Sequence, residues 1–145
     1  DLHSLFSSDA IDCGNPAYLS QNRCREECTQ LYHHIQNREW PRALARVKKK
    51  PQEARQWYTK RHSNGSVRYR FLPIHAACRL DPTNEVIIAL IKAYPDSTKL
   101  GDVDGMLPIH WACWGKARRD VIKTLLDARK DSANKIDNYG RLPIH

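Results

Sequence analysis

Apolar positions along the chain fall into a helical spacing that comes back after a fixed interval. Val86, Ile87, Leu90 and Ile91 stand at i, i+1, i+4 and i+5, which predicts one buried stripe on a helix. Val121, Ile122, Leu125 and Leu126 repeat that stripe 35 residues later. Ahead of each stripe lies the same tetrapeptide, Leu72-Pro73-Ile74-His75 and Leu107-Pro108-Ile109-His110, and a third copy follows as Leu142-Pro143-Ile144-His145. Residues 72–106 placed on 107–141 without gaps give 14 identities in 35 positions, so the chain is internally repetitive.

Each unit has its own physical logic. Pro73 and Pro108 suit the first position of a helix, where no backbone N–H is needed. A short helix should run on through Ala77-Cys78 or Ala112-Cys113, whose small side chains permit close approach, and break at Asp81-Pro82 or at Gly115. The stripe-bearing helix follows. The chain then turns at Asp102-Val103-Asp104-Gly105 and Asp137-Asn138-Tyr139-Gly140, where Gly supplies a positive φ. One such helical hairpin cannot bury its apolar face alone, whereas stacked copies can.

Units opening Leu-Pro-Ile-His-x-Ala-Cys at this period resemble the ankyrin repeat and its T-P-L-H-x-A signature, over residues 72–145. The resemblance implies an all-α solenoid of stacked helix-turn-helix units joined by β-hairpin fingers. It also implies that His75 and His110 hydrogen-bond backbone between neighbouring repeats. There are departures: Leu72, Leu107 and Leu142 stand where the family has Thr, the unit is about two residues longer than the common 33, and Tyr94-Pro95 and Arg129-Lys130 replace the Gly that closes the second helix.

Residues 31–71 read as a degenerate first unit, with helices over 31–40 and 41–50. Its hairpin is longer. Gln56–Arg61 and Ser66–Phe71 flank His62-Ser63-Asn64-Gly65, and Asn-Gly between alternating segments is a strong hairpin signal. Val67, Tyr69 and Phe71 should share one face and Arg68 and Arg70 the other. Residues 1–30 read as an N-terminal extension and capping helix, with Cys24, Cys28, Leu31 and Ile35 on one helical stripe from about Ser20 onward. The expected organisation is therefore 1–30, 31–71, 72–106, 107–141 and, at 142–145, the start of a further repeat. A solenoid should not end on an uncovered apolar face, so continuation of the chain or a covering partner is expected there.

Composition fits this picture. The chain has 145 residues, 41% apolar and 28% charged, which excludes wholesale disorder. Its longest apolar run, Val86 to Ile91, is six residues, against roughly 20 for a spanning helix. The formal charge is +8, and it is localised: residues 31–71 carry 11 Lys and Arg against two acids, net +9, while 1–30 is net −3 and 72–145 net +2.

Candidate chemistry is sparse. Cys13, Cys24 and Cys28 with His33 or His34 can be drawn as a zinc site, as a disulfide, or as buried thiols. His75 and Cys78, like His110 and Cys113, suggest a metal or nucleophilic pair, but a catalytic dyad has no reason to recur at every repeat. No phosphate-binding loop, Ser-His-Asp order or paired carboxylates appear, so the expectation is a non-enzymatic module needing no cofactor or metal. Cysteines embedded in the repeats favour an intracellular setting, in the cytoplasm or an organelle.

The expected activity is scaffold-like recognition of a protein, of acidic character, through fingers and inner helices. The contact residues are those at positions where a repeat tolerates change: Val103, Asp104, Met106, Asn138, Tyr139 and Arg141 on the turns, with Arg79 and Trp114 on the short helices. Lys60, Arg61, Arg68 and Arg70 add a basic finger suited to steering an acidic partner. Trp111 should fill core. The competing readings are a nucleic-acid surface on the basic, aromatic-rich first unit, and an architectural subunit of a larger assembly.

Overall fold

The computed structural model describes residues 29–143. The fold is mostly helical, with one two-stranded antiparallel sheet. Helices α1 (Gln30–Gln36) and α2 (Trp40–Lys49) come first, then strands β1 (Tyr58–Arg61) and β2 (Val67–Phe71). Helices α3 (Pro73–Arg79), α4 (Asn84–Ala93), α5 (Pro108–Trp114) and α6 (Arg119–Ala128) follow. The short helices pack α1 on α3 and α3 on α5, and the longer ones α2 on α4 and α4 on α6. The result is two rows of helices, an inner row of α1, α3 and α5 and an outer row of α2, α4 and α6.

The core lies between the rows and follows the repeated sequence. Ile74, Ala77, Ile109 and Ala112 are buried from the inner row, and Val86, Ile87, Leu90, Val121 and Leu125 from the outer. Trp111 is 1% exposed, filling core as expected. The inner helices end alike: Arg38, Asp81 and Lys116 take φ of 57°, 55° and 55°, the left-handed conformation that stops a helix. Gly115, by contrast, has an ordinary φ of −79°. It is needed for space, because a Cβ there would lie 2.6 Å from the Arg79 carbonyl oxygen.

The first helix differs from the reading of the sequence. Thr29 is extended and its hydroxyl accepts the Tyr32 N–H at 3.0 Å, so it caps α1 and breaks any continuous helical stripe running from Cys28 into Leu31. The rest of the expected cap, with Cys13, Cys24 and Cys28, lies outside the described residues. So do Ile144 and His145 of the last tetrapeptide.

Where the sequence lacks the closing Gly, the outer helices run into short 3-10 turns over Pro95–Lys99 and Lys130–Asn134, and the same happens after α2 at Pro51–Arg55. Arg46 grips Glu53 of that first turn through two bonds of 2.8 and 2.7 Å, and Glu53 also accepts the Leu31 N–H. This fixes α1, α2 and the turn together.

Candidate functional site

The three loops that project between helical hairpins are built in two ways. The first is the β1–β2 finger, paired Tyr58↔Phe71, Thr59↔Arg70 and Lys60↔Tyr69, with a bulge before Arg61↔Val67. Gly65 sits in its turn at φ +89°. Tyr58 and Phe71 are buried against Tyr32 of α1, with Tyr32 and Tyr58 stacked at 4.7 Å, and Tyr69 packs on Phe71, so the finger's base is anchored in an aromatic cluster. Val67 departs from the expected shared face: it lies beyond the bulge, near the tip, and is 36% exposed.

The other two loops are tight turns rather than hairpin strands. Asp102 Oδ1 accepts the N–H groups of Asp104 and Met106 at 2.9 and 3.0 Å, and Asp137 Oδ1 accepts those of Tyr139 and Arg141 at 2.9 and 3.0 Å. Each aspartate therefore folds its own turn, in place of a strand ladder. Burial works against ionisation of Asp137, but the two N–H groups and the Arg141 guanidinium, 2.8 Å away, hold its carboxyl below the usual range. Asp102 is pushed the other way, chiefly by burial, although Trp111 Nε1 donates to its Oδ2 at 2.7 Å.

The loops are tied into a row. The Val103 N–H donates to the Arg70 carbonyl at 3.0 Å, and the Asn138 N–H to the Asp104 carbonyl at 2.9 Å. Asn138 Nδ2 reaches the Val103 carbonyl, and the Tyr139 hydroxyl donates to Asp104 at 3.2 Å. Gly105, at φ +74°, admits this contact, since a Cβ there would collide with the Asn138 side chain.

His75 and His110 hold each repeat to the loop that follows it. His75 Nδ1 accepts the Leu72 N–H at 2.9 Å and its Nε2 bonds the Leu100 carbonyl at 2.8 Å. His110 does the same with Leu107 and the Arg141 carbonyl. The imidazole thus caps the helix start where Leu stands in place of Thr. Burial pulls the His75 pKa down to about 4 and pushes the Cys78 thiol far up, so this pair is a neutral ring beside an inert thiol. Among the described residues no cluster of His, Cys, Asp or Glu could hold a metal ion.

The structure sorts the expected contact residues. Arg61 and Arg70 are exposed and Lys60 and Arg68 half-buried on the first finger. Arg70 stacks over Trp57 at 4.0 Å, Arg68 lies 5.6 Å from the Tyr69 ring, and Arg61 donates to the Gly65 carbonyl at 3.0 Å. These cations are held in place rather than free to sweep. Val103 and Tyr139 are exposed at 37% and 64%, Asn138 is exposed, and Asp104 and Arg141 are half-buried. Trp114 is 37% exposed on α5, edge-on to Trp111. Arg79 is half-buried on α3, and burial lowers its pKa, with Arg38 adding to the effect against Tyr32.

Met106 is the correction. It is 3% exposed and part of the core, its N–H held by Asp102 within the caged turn, so it offers no contact surface. The sequence places Trp57 among the aromatics of the basic unit but does not show it as the ring that seats Arg70, and it does not single out Ile136, which is 61% exposed. The repeat alignment carries a signal for Ile136, since its counterpart is Gly101.

No helix of the described residues is long and apolar enough to cross a membrane. No curated protein matches the chain. The family model for the ankyrin repeat matches residues 104–138, the stretch that holds the Asp102-caged turn's second half, α5, α6 and the next turn as far as Asn138. Ankyrin repeats in general are non-enzymatic modules that mediate protein–protein interaction. The repeated Leu-Pro-Ile-His helices and the backbone-bonding histidines accord with that match, and residues 104–138 carry an ankyrin repeat.

Proposed function

We propose that the chain is a short ankyrin solenoid that recognises an acidic segment of a protein partner along its row of fingers and does no chemistry of its own. The carrying observation is the cation geometry of the first finger. Arg70 is stacked on Trp57, Arg68 lies against Tyr69, and the finger joins the next through the Arg70 carbonyl. A positive edge held this way loses little side-chain freedom on binding, which favours affinity as well as steering. Val103, Tyr139 and Trp114 supply exposed apolar anchors on the same row and the adjoining inner helix.

In this reading residues 1–30 form a cap, 31–71 a degenerate repeat, 72–106 and 107–141 regular repeats, and 142–145 the opening of another. The common left-handed helix ends at Arg38, Asp81 and Lys116 support counting 31–71 as a repeat. The test is affinity enrichment with quantitative mass spectrometry, comparing wild type with R68E/R70E. The expected result is a partner with an acidic surface, retained by wild type at low salt and lost by the folded variant. Equal retention rejects the finger as contact surface.

A further inference from the structure

The outer row carries a feature that the finger surface does not use. Between α2 and α4 runs an open groove of about 450 Å³ lined by Leu44, Val47, Ile88 and Ala89. That volume falls within the range of about 300–1,000 Å³ typical of binding pockets. Ile88 is 38% exposed, an aliphatic side chain left in water at the groove's edge. Lys48 and Lys92 stand on its lining with a single acid, Glu85.

The repeat itself supplies the comparison. Positions 88, 89 and 92 hold Ile, Ala and Lys, whereas their counterparts 123, 124 and 127 hold Lys, Thr and Asp. One junction along, Thr124 donates its hydroxyl to Asn84 at 2.7 Å, so α4 and α6 are bridged by a polar bond. The fold therefore does not require an open apolar seam between outer helices. The α2–α4 seam is apolar where the next is polar, and Lys92 reverses the sign of Asp127.

We propose that this groove is a second docking site, on the outer row of helices, for a helical segment of a protein partner that carries aliphatic or aromatic anchors flanked by carboxylates. Two parallel helices with an apolar trough suit the helix-in-groove mode, in which anchors at i and i+3 or i+4 enter the trough. The sign of the flanking charges follows from Lys48 and Lys92 outnumbering Glu85 on the lining. This site does not depend on the finger reading, and the two fail separately.

The experiment is selection of a random 12-residue peptide library on the whole chain, with the I88K variant as counter-selection. That substitution installs the residue the next repeat already carries at this position, so it preserves the helix. The expected peptides are acidic with aliphatic or aromatic anchors at helical spacing. They should bind I88K and K48E/K92E at least tenfold more weakly than wild type, while R68E/R70E leaves their affinity unchanged. On isotope-labelled chain they should shift the Ile88 and Ala89 methyl signals. The proposal is overturned if no selected peptide distinguishes wild type from I88K, if those that do are basic or lack carboxylates, or if R68E/R70E abolishes their binding.

Discussion

Acidification should loosen the packing of α3 on the turn that follows it through His75. The ring is 2% exposed, accepts the Leu72 N–H at Nδ1 and bonds the Leu100 carbonyl through Nε2, so the neutral Nε2–H form satisfies both neighbours. Protonating Nδ1 would set one N–H against another, in a place where burial already disfavours charge. With a folded-state pKa of about 4 against 6.5 in the unfolded chain, the unfolded state binds more protons between those values. Stability from this group is therefore complete above about pH 6.5 and falls as the pH drops toward about 4. A shift of that size corresponds to about 3 kcal/mol, a large share of the stability of a domain this small.

The assay is urea unfolding followed by circular dichroism across that pH range, with nitrogen NMR of the His75 ring as the direct readout. We expect a neutral Nε2–H tautomer at neutral pH and no ring titration until the protein itself begins to unfold. A reversible His75 midpoint near 6.5 in the folded protein, or an Nδ1–H tautomer, would refute the reasoning. The His75→Asn variant, if folded, should be less stable at neutral pH and should lose this part of the pH slope.

Three further substitutions probe the packing. Gly115→Ala should destabilise the protein by about 1–3 kcal/mol in urea unfolding, because the new Cβ meets the Arg79 carbonyl and α5 must move off α3; a neutral result would mean that Gly115 serves the helix end only. Lys116→Gly should stabilise by about 1 kcal/mol, since Lys116 holds a left-handed φ of 55° that glycine adopts without a steric penalty; a loss would show that its side chain matters more than its backbone. Trp111→Phe should cost about 2–4 kcal/mol, from a cavity and from the lost donor to Asp102 Oδ2. It should also raise the Asp102 pKa further, which carboxyl-carbon NMR can follow.

Much of this architecture is legible in the sequence because it repeats. Identity at His75 and His110, at Asp102 and Asp137, and at Gly105 and Gly140 marks the backbone-bonding ring, the caged turn and its positive φ in turn. The Asn64-Gly65 hairpin is equally legible, since its turn chemistry is local. What depends on tertiary placement is not. Met106 looks variable against Arg141 in the alignment, yet it is part of the core. Gly115 reads as a helix stop, but its role is set by the carbonyl of a helix 35 residues earlier. Thr29 interrupts a stripe whose spacing alone would have carried a helix through it. The α2–α4 groove becomes visible only once Ile88 and Lys123 are known to face the same kind of seam.

The central claim is that the finger row meets an acidic protein, and photo-crosslinking tests it most directly. A benzophenone amino acid replaces Val67 or Val103 on the fingers, or Asp127 on α6, in the full chain. The account predicts crosslinks from 67 and 103 to one acidic protein segment, suppressed by R68E/R70E and by high salt, with none from 127. Crosslinks to nucleic acid from the finger positions, or equal capture of the same protein from 127, would contradict it.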